Sequence, residues 1–237
     1  MKRSWLMLVA VVLTVATSQP GCSSEEVTEN SCSGSAAEIR LPKPRLSGES
    51  SVEQVLQKRR SVREFRDEPL TVAEIAQLLW AAQGVTSPQG QRTAPSAGAR
   101  YPLELYLVAG KVTGLAAGVY HYLPASHTLQ LVASGDQRRK LTQATKQMTF
   151  VQNAPASLLF SGIYQRTTGK YGERGVRYVH MDVGHAAENV YLQAVALKLG
   201  TVMVGGFEDA AVSKAACLPP AETPLAIMPV GRVAGSR

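Results

Sequence analysis

Aromatic side chains are scarce in this sequence. Phe, Trp and Tyr together make up 6% of its 237 residues, and no basic run is interleaved with them to form a surface on which nucleobases could stack. The composition therefore argues against nucleic-acid binding, although the formal net charge is +7. A positive charge of this size is compatible with a phosphorylated ligand or with a solvated surface.

Cysteine is also scarce, and neither the cysteines nor the histidines have the spacing of metal ligands. An exported chain could at most pair Cys32 with Cys217, but Cys32 falls in a flexible leader and Cys217 at the end of a small-residue helix. We therefore expect no structural disulfide. We expect no metal site either, and we interpret the histidines as surface or packing residues: His121, His127, His180 and His185.

The sequence has no G-x-G-x-x-G motif after a predicted strand and no regular alternation of strands and helices. Both absences argue against a Rossmann domain. Strands are predicted at residues 103–108, 156–163 and 224–230, and a hairpin is predicted from 119–122 and 129–132. With 45% apolar residues, the chain can bury a sizeable core. We expect an α+β fold, in which helices wrap a largely antiparallel sheet.

Residues 1–21 have the organisation of an export signal. Lys2 and Arg3 precede an apolar stretch and a small-residue end. Cys22 directly follows, as in the lipobox of bacterial lipoproteins, although Gln19 and Pro20 depart from the usual pattern. We expect an exported protein that a lipid on Cys22 anchors to the membrane, facing the periplasm or the cell exterior. Simple cleavage to a free protein is the alternative. Residues 22–48 are rich in Ser, Glu and Pro and predict a flexible linker.

The clearest helix signal begins at Val183. Apolar residues recur from there at the three and four spacing of a helix with a broad buried face. Gly200 is expected to end this helix. Residues 201–204 then predict a central strand, followed by Gly205 and Gly206. Without side chains, these glycines allow the backbone to lie against a flat ligand, but a tight turn would show the same pattern.

Two shorter helices are predicted from capping boxes at residues 51–54 and 71–74, and Gly84 is expected to end the second. Between them lies the run 59–66, which contains four arginines and one serine. Such a set of donors suits a phosphate dianion. A solvated turn with internal salt bridges is an equally reasonable interpretation. Another helix is expected to begin at Asp136 and to continue to about residue 145.

A turn of small residues precedes the strand at 103–108. Pro95, Ser96 and Gly98 belong to this turn, which leaves room for a ligand beside the hydroxyl of Ser96. A plain loop that leads into a strand would look similar.

These segments together resemble the nitroreductase superfamily of FMN oxidoreductases. The residues that carry the resemblance are the run 59–63, the turn 95–98 with residues 101–102, the glycines at 205–206, and residues 231–232. The strings APSAGARYPLELYLV and KYGERGVRYVHMDVGHAAENVYLQA resemble its SagB/ThcOx-type branch, which includes dehydrogenases that oxidise thiazolines and oxazolines in peptides. The resemblance covers residues 52–232 and implies a nitroreductase-like fold with a long central helix over residues 49–237.

The resemblance also implies FMN as the cofactor and a homodimer with the flavin in its interface. The residues implied to hold the flavin phosphate and ribityl chain are Arg59, Ser61, Arg63 and Arg232. Arg60 stands where related enzymes often have another side chain that also touches the flavin. Pro95, Ser96 and Gly98 would meet the flavin from the partner subunit. Gly205 and Gly206 would lie beside its ring, and Asn189 is a further implied contact.

Lys170 and Tyr171 match a Lys-Tyr pair that the azoline-oxidising members of the branch use in catalysis. The resemblance implies that Lys170 takes up a proton while hydride leaves to the flavin. A lysine can do so only when its amine is neutral, which burial or a nearby cation favours. A mobile glycine-rich loop would hold the same two residues without any catalytic use.

Three functions remain open at this point. The first is an exported FMN-dependent oxidoreductase that passes hydride between a reductant and a small organic or peptide substrate. The second is an azoline dehydrogenase acting on peptides. The third is a lipoprotein that binds flavin without turnover.

Overall fold

The computed structural model of the chain describes residue 32 and residues 37–235. Within these residues the strands are β1 (Glu38–Arg40), β2 (Leu70–Thr71), β3 (Leu103–Ala109), β4 (Val112–Thr113), β5 (Gly118–Leu123), β6 (Thr128–Ser134), β7 (Ala156–Gly162), β8 (Leu199–Thr201) and β9 (Thr223–Arg232). The helices are α1 (Val52–Lys58), α2 (Val72–Gln83), α3 (Arg138–Ala144), α4 (Thr149–Asn153), α5 (Gln165–Tyr171), α6 (Arg174–Ala196) and α7 (Asp209–Ala216).

Seven strands form one sheet in the order β1-β6-β5-β3-β7-β9-β8, and each neighbouring pair runs antiparallel. β2 and β4 form a separate parallel pair. Every residue of β7 is buried, because this strand lies inside the sheet and both of its faces are covered. The predicted α+β fold with a mostly antiparallel sheet is confirmed.

Helices cover both faces of the sheet. Successive side chains of a strand point to opposite faces. Along β3, Leu105 and Leu107 enter one core together with residues of α2 and α6, whereas Tyr106 and Val108 enter a second core with residues of α3, α4 and α7. The long helix α6 therefore lies against one face of the sheet.

Local signals predicted the helix starts well. The capping boxes of Ser51 with Gln54 and of Thr71 with Glu74 both form, and Gly84 directly follows α2. Asp136 accepts a hydrogen bond from the N–H of Arg138 at the start of α3. The hairpin of β5 and β6 is also confirmed.

The long helix differs from its prediction at both ends. It begins at Arg174, nine residues before Val183, and it ends at Ala196. Lys198, not Gly200, takes the positive φ after it, at 60°. Gly200 lies within β8, where a Cβ would come within 2.8 Å of Val62. A close backbone approach, and not helix termination, therefore requires this glycine.

The prediction of a central strand at residues 201–204 is wrong. β8 ends at Thr201 and lies at the edge of the sheet, and Val204 forms only an isolated bridge with Ile227. A short β-branched run shows that a segment is extended, but it does not fix the position of that segment in the sheet.

The fold begins inside the predicted linker. Residues 38–40 pair with β6, and Leu41 is buried. A sheet edge offers backbone hydrogen bonds to any extended segment, so a polar composition did not prevent this pairing.

The expectation of no structural disulfide is wrong. Cys32 and Cys217 are bonded, with their Cα atoms 5.9 Å apart. Cys217 has a left-handed backbone conformation directly after α7. The two residues are separated by 185 positions, and no local pattern reports a contact over such a distance.

The predicted signal segment 1–21 and the predicted lipidation site Cys22 lie outside the described residues. In the part of the chain that the structure describes, no helix combines the length and the apolar character that a membrane span requires.

Candidate active site

The arginine-rich run after α1 lies alongside β8. Val62 is buried and its N–H donates to the carbonyl of Thr201 at 2.9 Å, while Ser61 forms a parallel bridge with Thr201. The neighbours of Val62 face outward: Ser61 and Arg63 are exposed, and Arg59 is half-buried. The buried valine thus fixes a short extended segment whose polar side chains are presented together.

Tyr191 of α6 connects this run to the segment before the glycine pair. Its hydroxyl accepts a hydrogen bond from the N–H of Met203 at 2.7 Å and lies 3.4 Å from the Ser61 hydroxyl. The Arg59 guanidinium lies 5.1 Å from the centre of the Tyr191 ring and 3.9 Å from the Glu188 carboxylate. We call Arg59, Ser61, Arg63 and Tyr191 the arginine cluster.

Tyr191 has a role that the sequence analysis missed. The helical spacing that begins at Val183 places Tyr191 in the buried apolar stripe, but the side chain is half-buried and its hydroxyl contacts two other segments. The phenolic hydroxyl at the edge of an otherwise aliphatic stripe was the available signal.

Gly205 and Gly206 provide an open strip of backbone two residues beyond Met203. Both are exposed, and a Cβ at Gly205 would have no neighbour within 4 Å. Among the described residues, their N–H groups donate to no backbone carbonyl. A flat ligand could therefore approach this backbone and accept its hydrogen bonds.

Two of the predicted flavin-binding arginines are engaged within the chain. Arg232 donates to Glu74 at 3.0 Å and lies 3.3 Å from Glu68. Arg60 donates to the carbonyls of Gln57 and Arg59. Arg63, in contrast, forms no ion pair with any carboxylate in the described residues. An anion bound here would have to draw Arg232 away from its carboxylates.

A second group of predicted residues surrounds the small-residue turn. Residues 97–99 form one turn of 3-10 helix. The Ser96 hydroxyl accepts a hydrogen bond from the Tyr101 N–H at 2.9 Å and donates to the carboxylate of Asp182. Gly98 has φ +58°, a conformation that glycine adopts at little cost. Pro95 is exposed at the beginning of the turn.

Lys170 and Tyr171 lie against this turn. They end α5 and are not part of an irregular loop. A Cβ on Gly98 would collide with the Tyr171 hydroxyl and would lie 3.0 Å from the Lys170 ammonium. The ammonium is exposed and lies 5.3 Å from the centre of the Tyr171 ring. We call Ser96, Gly98, Lys170 and Tyr171 the turn cluster.

Arg166 and Glu104 attach α5 to the sheet. Glu104 projects from β3, and its side chain is 14% exposed. Its carboxylate accepts from Arg166 at 2.6 Å and lies 2.8 Å from the His121 ring nitrogen. Burial alone would raise the pKa of Glu104, but the hydrogen bond from His121 and the charge of Arg166 outweigh burial and hold the pKa below its usual range.

Asp182 of α6 is a buried acid that the sequence analysis did not identify. It is 3% exposed. Burial raises its pKa, even though Ser96 and the N–H of Ala97 donate hydrogen bonds to it. One carboxylate oxygen has no hydrogen-bond partner. Asp182 therefore holds the turn in place at some electrostatic cost.

Among the described residues, Asn189 forms no hydrogen bond with a member of either cluster. Its amide donates to the carbonyl of Ala81 at 3.0 Å. This bond ties α6 to α2.

The two clusters face different sides of α6. Asp182 contacts the turn cluster, and Tyr191 belongs to the arginine cluster. Nine residues along a helix correspond to a rise of about 13 Å and a rotation of about half a turn. The two clusters therefore project from positions on α6 that are separated along the helix and by about half a turn around it.

Among the described residues, no group of His, Cys, Asp and Glu could hold a metal ion. Three of the histidines pack against neighbours as predicted. His121 contacts Glu104, His127 contacts Tyr122, and His180 contacts Tyr164.

The arginine cluster fits a flavin phosphate in its chemistry. Arg59 and Arg63 are cations at the surface, and Ser61 adds a hydroxyl. Gly205, where a Cβ would meet nothing within 4 Å, follows in the same region together with Gly206. Flavin rings bear negative charge near N1 and O2 when reduced and need nearby donors. Cations, backbone N–H groups and an unobstructed backbone are the features that such a molecule requires.

Comparison with known proteins identifies related chains. The model of the family described as "Nitroreductase family" matches residues 56–232. A nitroreductase homologue of Methanocaldococcus jannaschii is 46% identical over 199 residues, which cover 84% of this chain and 98% of that protein. The Microcin B17-processing protein McbC of Escherichia coli is 30% identical over 153 residues, 61% of this chain and 56% of McbC.

A solved structure shows the same fold. The crystal structure of a nitroreductase homologue from Ralstonia eutropha superposes with a TM-score of 0.73 at 32% identity, over 84% of this chain and 90% of the other.

Proposed function

Because this chain belongs to the nitroreductase family, we propose that it is an FMN-dependent oxidoreductase that transfers hydride between a reductant and a small organic or peptide substrate. The observation that carries the proposal is the arginine cluster beside an open glycine backbone. A bound flavin would accept a hydride equivalent from a donor and deliver it to an acceptor.

The phosphate site follows from the arginine cluster. Arg59, Ser61 and Arg63 would bind the flavin phosphate, because they are surface donors fixed by one buried residue, Val62. Arg60 lies on the same segment and Arg232 is an additional cation. Tyr191 would connect Ser61 to the segment that leads to Gly205 and Gly206. The distance between the groups that bind the phosphate and those that lie beside the ring would then stay constant.

A homodimer would complete the site. Ser96 and Gly98, with Pro95 at the edge of the turn, would meet the flavin of the partner subunit, because within one chain they lie on another side of α6. The exposed apolar side chains of α1, Val52 at 63% and Leu56 at 53% exposure, are suited to burial between two subunits.

Lys170 would accept a proton from the substrate at its Nζ atom as hydride leaves. Its ammonium is exposed in the single chain, so the flavin, the substrate and the partner subunit would have to exclude water from it. Tyr171 would help by fixing the end of α5 against Gly98.

The likeness to McbC favours a second candidate function within the same chemistry, azoline oxidation on a peptide. In such a reaction the substrate would lose a proton to Lys170 and a hydride to the flavin, and the C–C single bond of the azoline ring would become double. A flavin-binding lipoprotein without turnover is the remaining alternative.

The disulfide supports export. Structural disulfides persist in oxidising compartments and are rare in the bacterial cytoplasm. Together with the signal pattern at residues 1–21, the Cys32–Cys217 bond favours a location outside the cytoplasm, with Cys22 as the proposed lipid attachment.

The test is flavin binding followed by half-reactions. Purified protein should be yellow, release FMN on denaturation and bleach under anaerobic reduction. Replacing both Arg59 and Arg232 with Ala should give colourless, folded protein. Full flavin occupancy in this variant would overturn the phosphate assignment. If no donor reduces the flavin-loaded protein and no acceptor reoxidises it, the result would instead favour the alternative in which the protein binds flavin without turnover.

A further inference from the structure

A cavity of about 380 Å³ lies between the arginine-rich run, the last turns of α6 and β8. Arg60 and Val62 line it from the run, whereas Arg59, Ser61 and Arg63 do not. Successive side chains of an extended segment point to opposite sides. The run therefore presents side chains on two sides, and Arg60 belongs to the side of the cavity.

Three exposed cations line this cavity. Lys58 is the last residue of α1, Lys198 follows the end of α6, and Arg60 lies on the run. One nitrogen of Arg60 donates to the carbonyls of Gln57 and Arg59. Among the described residues, none of the three cations forms an ion pair with a carboxylate, and no acidic residue lines the cavity. Their summed positive potential favours an anion here.

Most of the remaining lining is apolar. Ala194 and Leu199 are buried, Val195 and Val233 are half-buried, and Tyr191 adds an aromatic ring. An inorganic anion alone would leave this apolar surface uncovered, and an apolar molecule alone would leave the cations without a partner. The volume falls in the range of sites for small molecules, about 300–1,000 Å³.

We propose that this cavity binds a small organic acid. Its anionic group lies among Lys58, Arg60 and Lys198, and its apolar body covers Val195 and Val233. This site is separate from the residues assigned to the flavin phosphate, so the proposal does not rest on the proposed function. It can be tested on protein without flavin.

The experiment measures the binding of three probes to the folded full-length chain by fluorescence at constant ionic strength. Anilinonaphthalene sulfonate combines an anion with an aromatic body, phenylnaphthylamine is the same body without the sulfonate, and inorganic sulfate is the anion alone. The sulfonate should bind saturably and about tenfold more tightly than the neutral amine, because it also pairs with the cations. Sulfate should not displace it.

Two variants test the two halves of the site. Replacing Lys58 and Lys198 together with Gln should weaken binding of the sulfonate by about fivefold and leave binding of the neutral amine unchanged. Val195→Ser removes apolar lining and should weaken both probes by about threefold.

Lys198→Gly separates the loss of charge from a loss of stability. Lys198 has φ 60°, a conformation that glycine adopts at less cost than lysine. Thermal unfolding should therefore show a variant at least as stable as the wild type. It should still bind the sulfonate about twofold more weakly, because one cation is missing.

Two controls make the result specific to this cavity. Lys43 and Lys214 are exposed and do not line it. Replacing both with Gln removes the same net charge and should leave binding of the sulfonate unchanged. Arg63→Gln removes a cation of the arginine cluster and should also leave it unchanged.

Equal weakening in the two double lysine variants would overturn the proposal, because net charge and not the cavity would then explain the binding. Weaker binding in Arg63→Gln would overturn it as well, since the anion would then lie in the arginine cluster. Equal affinities of the sulfonate and the neutral amine would also contradict it. Protein that retains no FMN but shows the expected probe binding would refute the proposed function and leave this proposal intact.

Discussion

At the scale of single residues, most of the proposed chemistry depends on contacts that involve one hydroxyl, one missing side chain or one buried charge. Tyr191 supplies the hydroxyl that joins Ser61 to Met203. Gly98 supplies the space that Tyr171 and Lys170 occupy. Asp182 supplies the buried carboxylate that holds Ser96. Each contact can be tested by a small change.

Tyr191→Phe should weaken flavin retention and lower the free energy of unfolding by about 1 kcal/mol, since the Met203 N–H loses its acceptor. Tyr120→Phe is a matched control. The Tyr120 hydroxyl donates to the Ala116 carbonyl at 2.8 Å, and neither residue belongs to the arginine cluster or the turn cluster. Denaturant unfolding and FMN dissociation measure the two effects. Equal flavin retention in both variants would show that Tyr191 does not shape the phosphate site.

Gly98→Ala should abolish or strongly reduce turnover while the protein stays folded. The new methyl group would collide with the Tyr171 hydroxyl, and the positive φ adds strain of about 1 kcal/mol. Gly90→Ala separates these causes, because Gly90 has φ +81° but a Cβ there meets nothing within 4 Å. If steady-state rates fall equally in the two variants, displacement of Tyr171 is not the reason.

Asp182→Asn should stabilise the protein at neutral pH, with the gain fading as the pH falls. Burial raises the pKa of Asp182 above its unfolded value of 3.8, so the folded state favours the protonated acid. As the pH rises through the folded pKa, Asp182 becomes a buried carboxylate that destabilises the folded state, and Asn carries no such charge. Thermal unfolding across pH measures this, and a gain that grows on acidification would contradict it.

At the scale of elements, the predictable features are those encoded within a few consecutive residues. The capping boxes of α1 and α2 were predicted correctly because both hydrogen-bonding partners lie within four consecutive residues. The buried face of α6 was also predictable, because Val183, Ala186 and Val190 follow the three and four spacing of a helix.

Features that depend on distant partners were not predictable. Gly200 resembled a helix terminator, but its role is to admit Val62 from another segment. Tyr191 resembled core, but its partners lie on two other segments. The Arg166–Glu104 pair joins α5 to β3, and the sequence around either residue does not indicate that the other is its partner. The members of the candidate site could thus be proposed, but not their division between two sides of α6.

The attachment of α5 to β3 gives a pH-dependent prediction. The pKa of Glu104 is held below 4.5, so its stabilisation is present above the unfolded pKa and is lost as the pH falls through the folded pKa. Glu104→Gln should therefore lower the free energy of unfolding by about 1–3 kcal/mol at pH 7, and the deficit should shrink in acid. Denaturant unfolding at several pH values measures it. A deficit that does not depend on pH would point to lost packing alone.

At the scale of the whole molecule, the disulfide joins the segment before β1 to the end of α7. A crosslink between such distant residues restricts the unfolded chain and typically contributes about 2–4 kcal/mol. Cys217→Ser should lower the unfolding temperature, and a reducing agent should lower that of the wild type to the same level. If the reductant affects the Cys217→Ser variant equally, the disulfide is not responsible.

The division of the clusters between two sides of α6 predicts shared sites in a dimer. An inactive Arg59→Ala chain and an inactive Gly98→Ala chain should regain activity when their subunits exchange, because one site of each mixed dimer is then intact. Random exchange should restore about a quarter of the wild-type rate. Exchange that forms mixed dimers, verified by native mass spectrometry, without any recovery would place both clusters in one chain's site.

The central claim is that this chain binds FMN through the arginine cluster, and flavin stoichiometry tests it most directly. Folded protein should be incubated with excess FMN and dialysed, and the flavin remaining per chain should be measured by absorbance after denaturation. The account predicts one FMN per chain in the wild type and strongly reduced FMN in the Arg59→Ala, Arg232→Ala double variant. Folded wild-type protein that retains no FMN would contradict it.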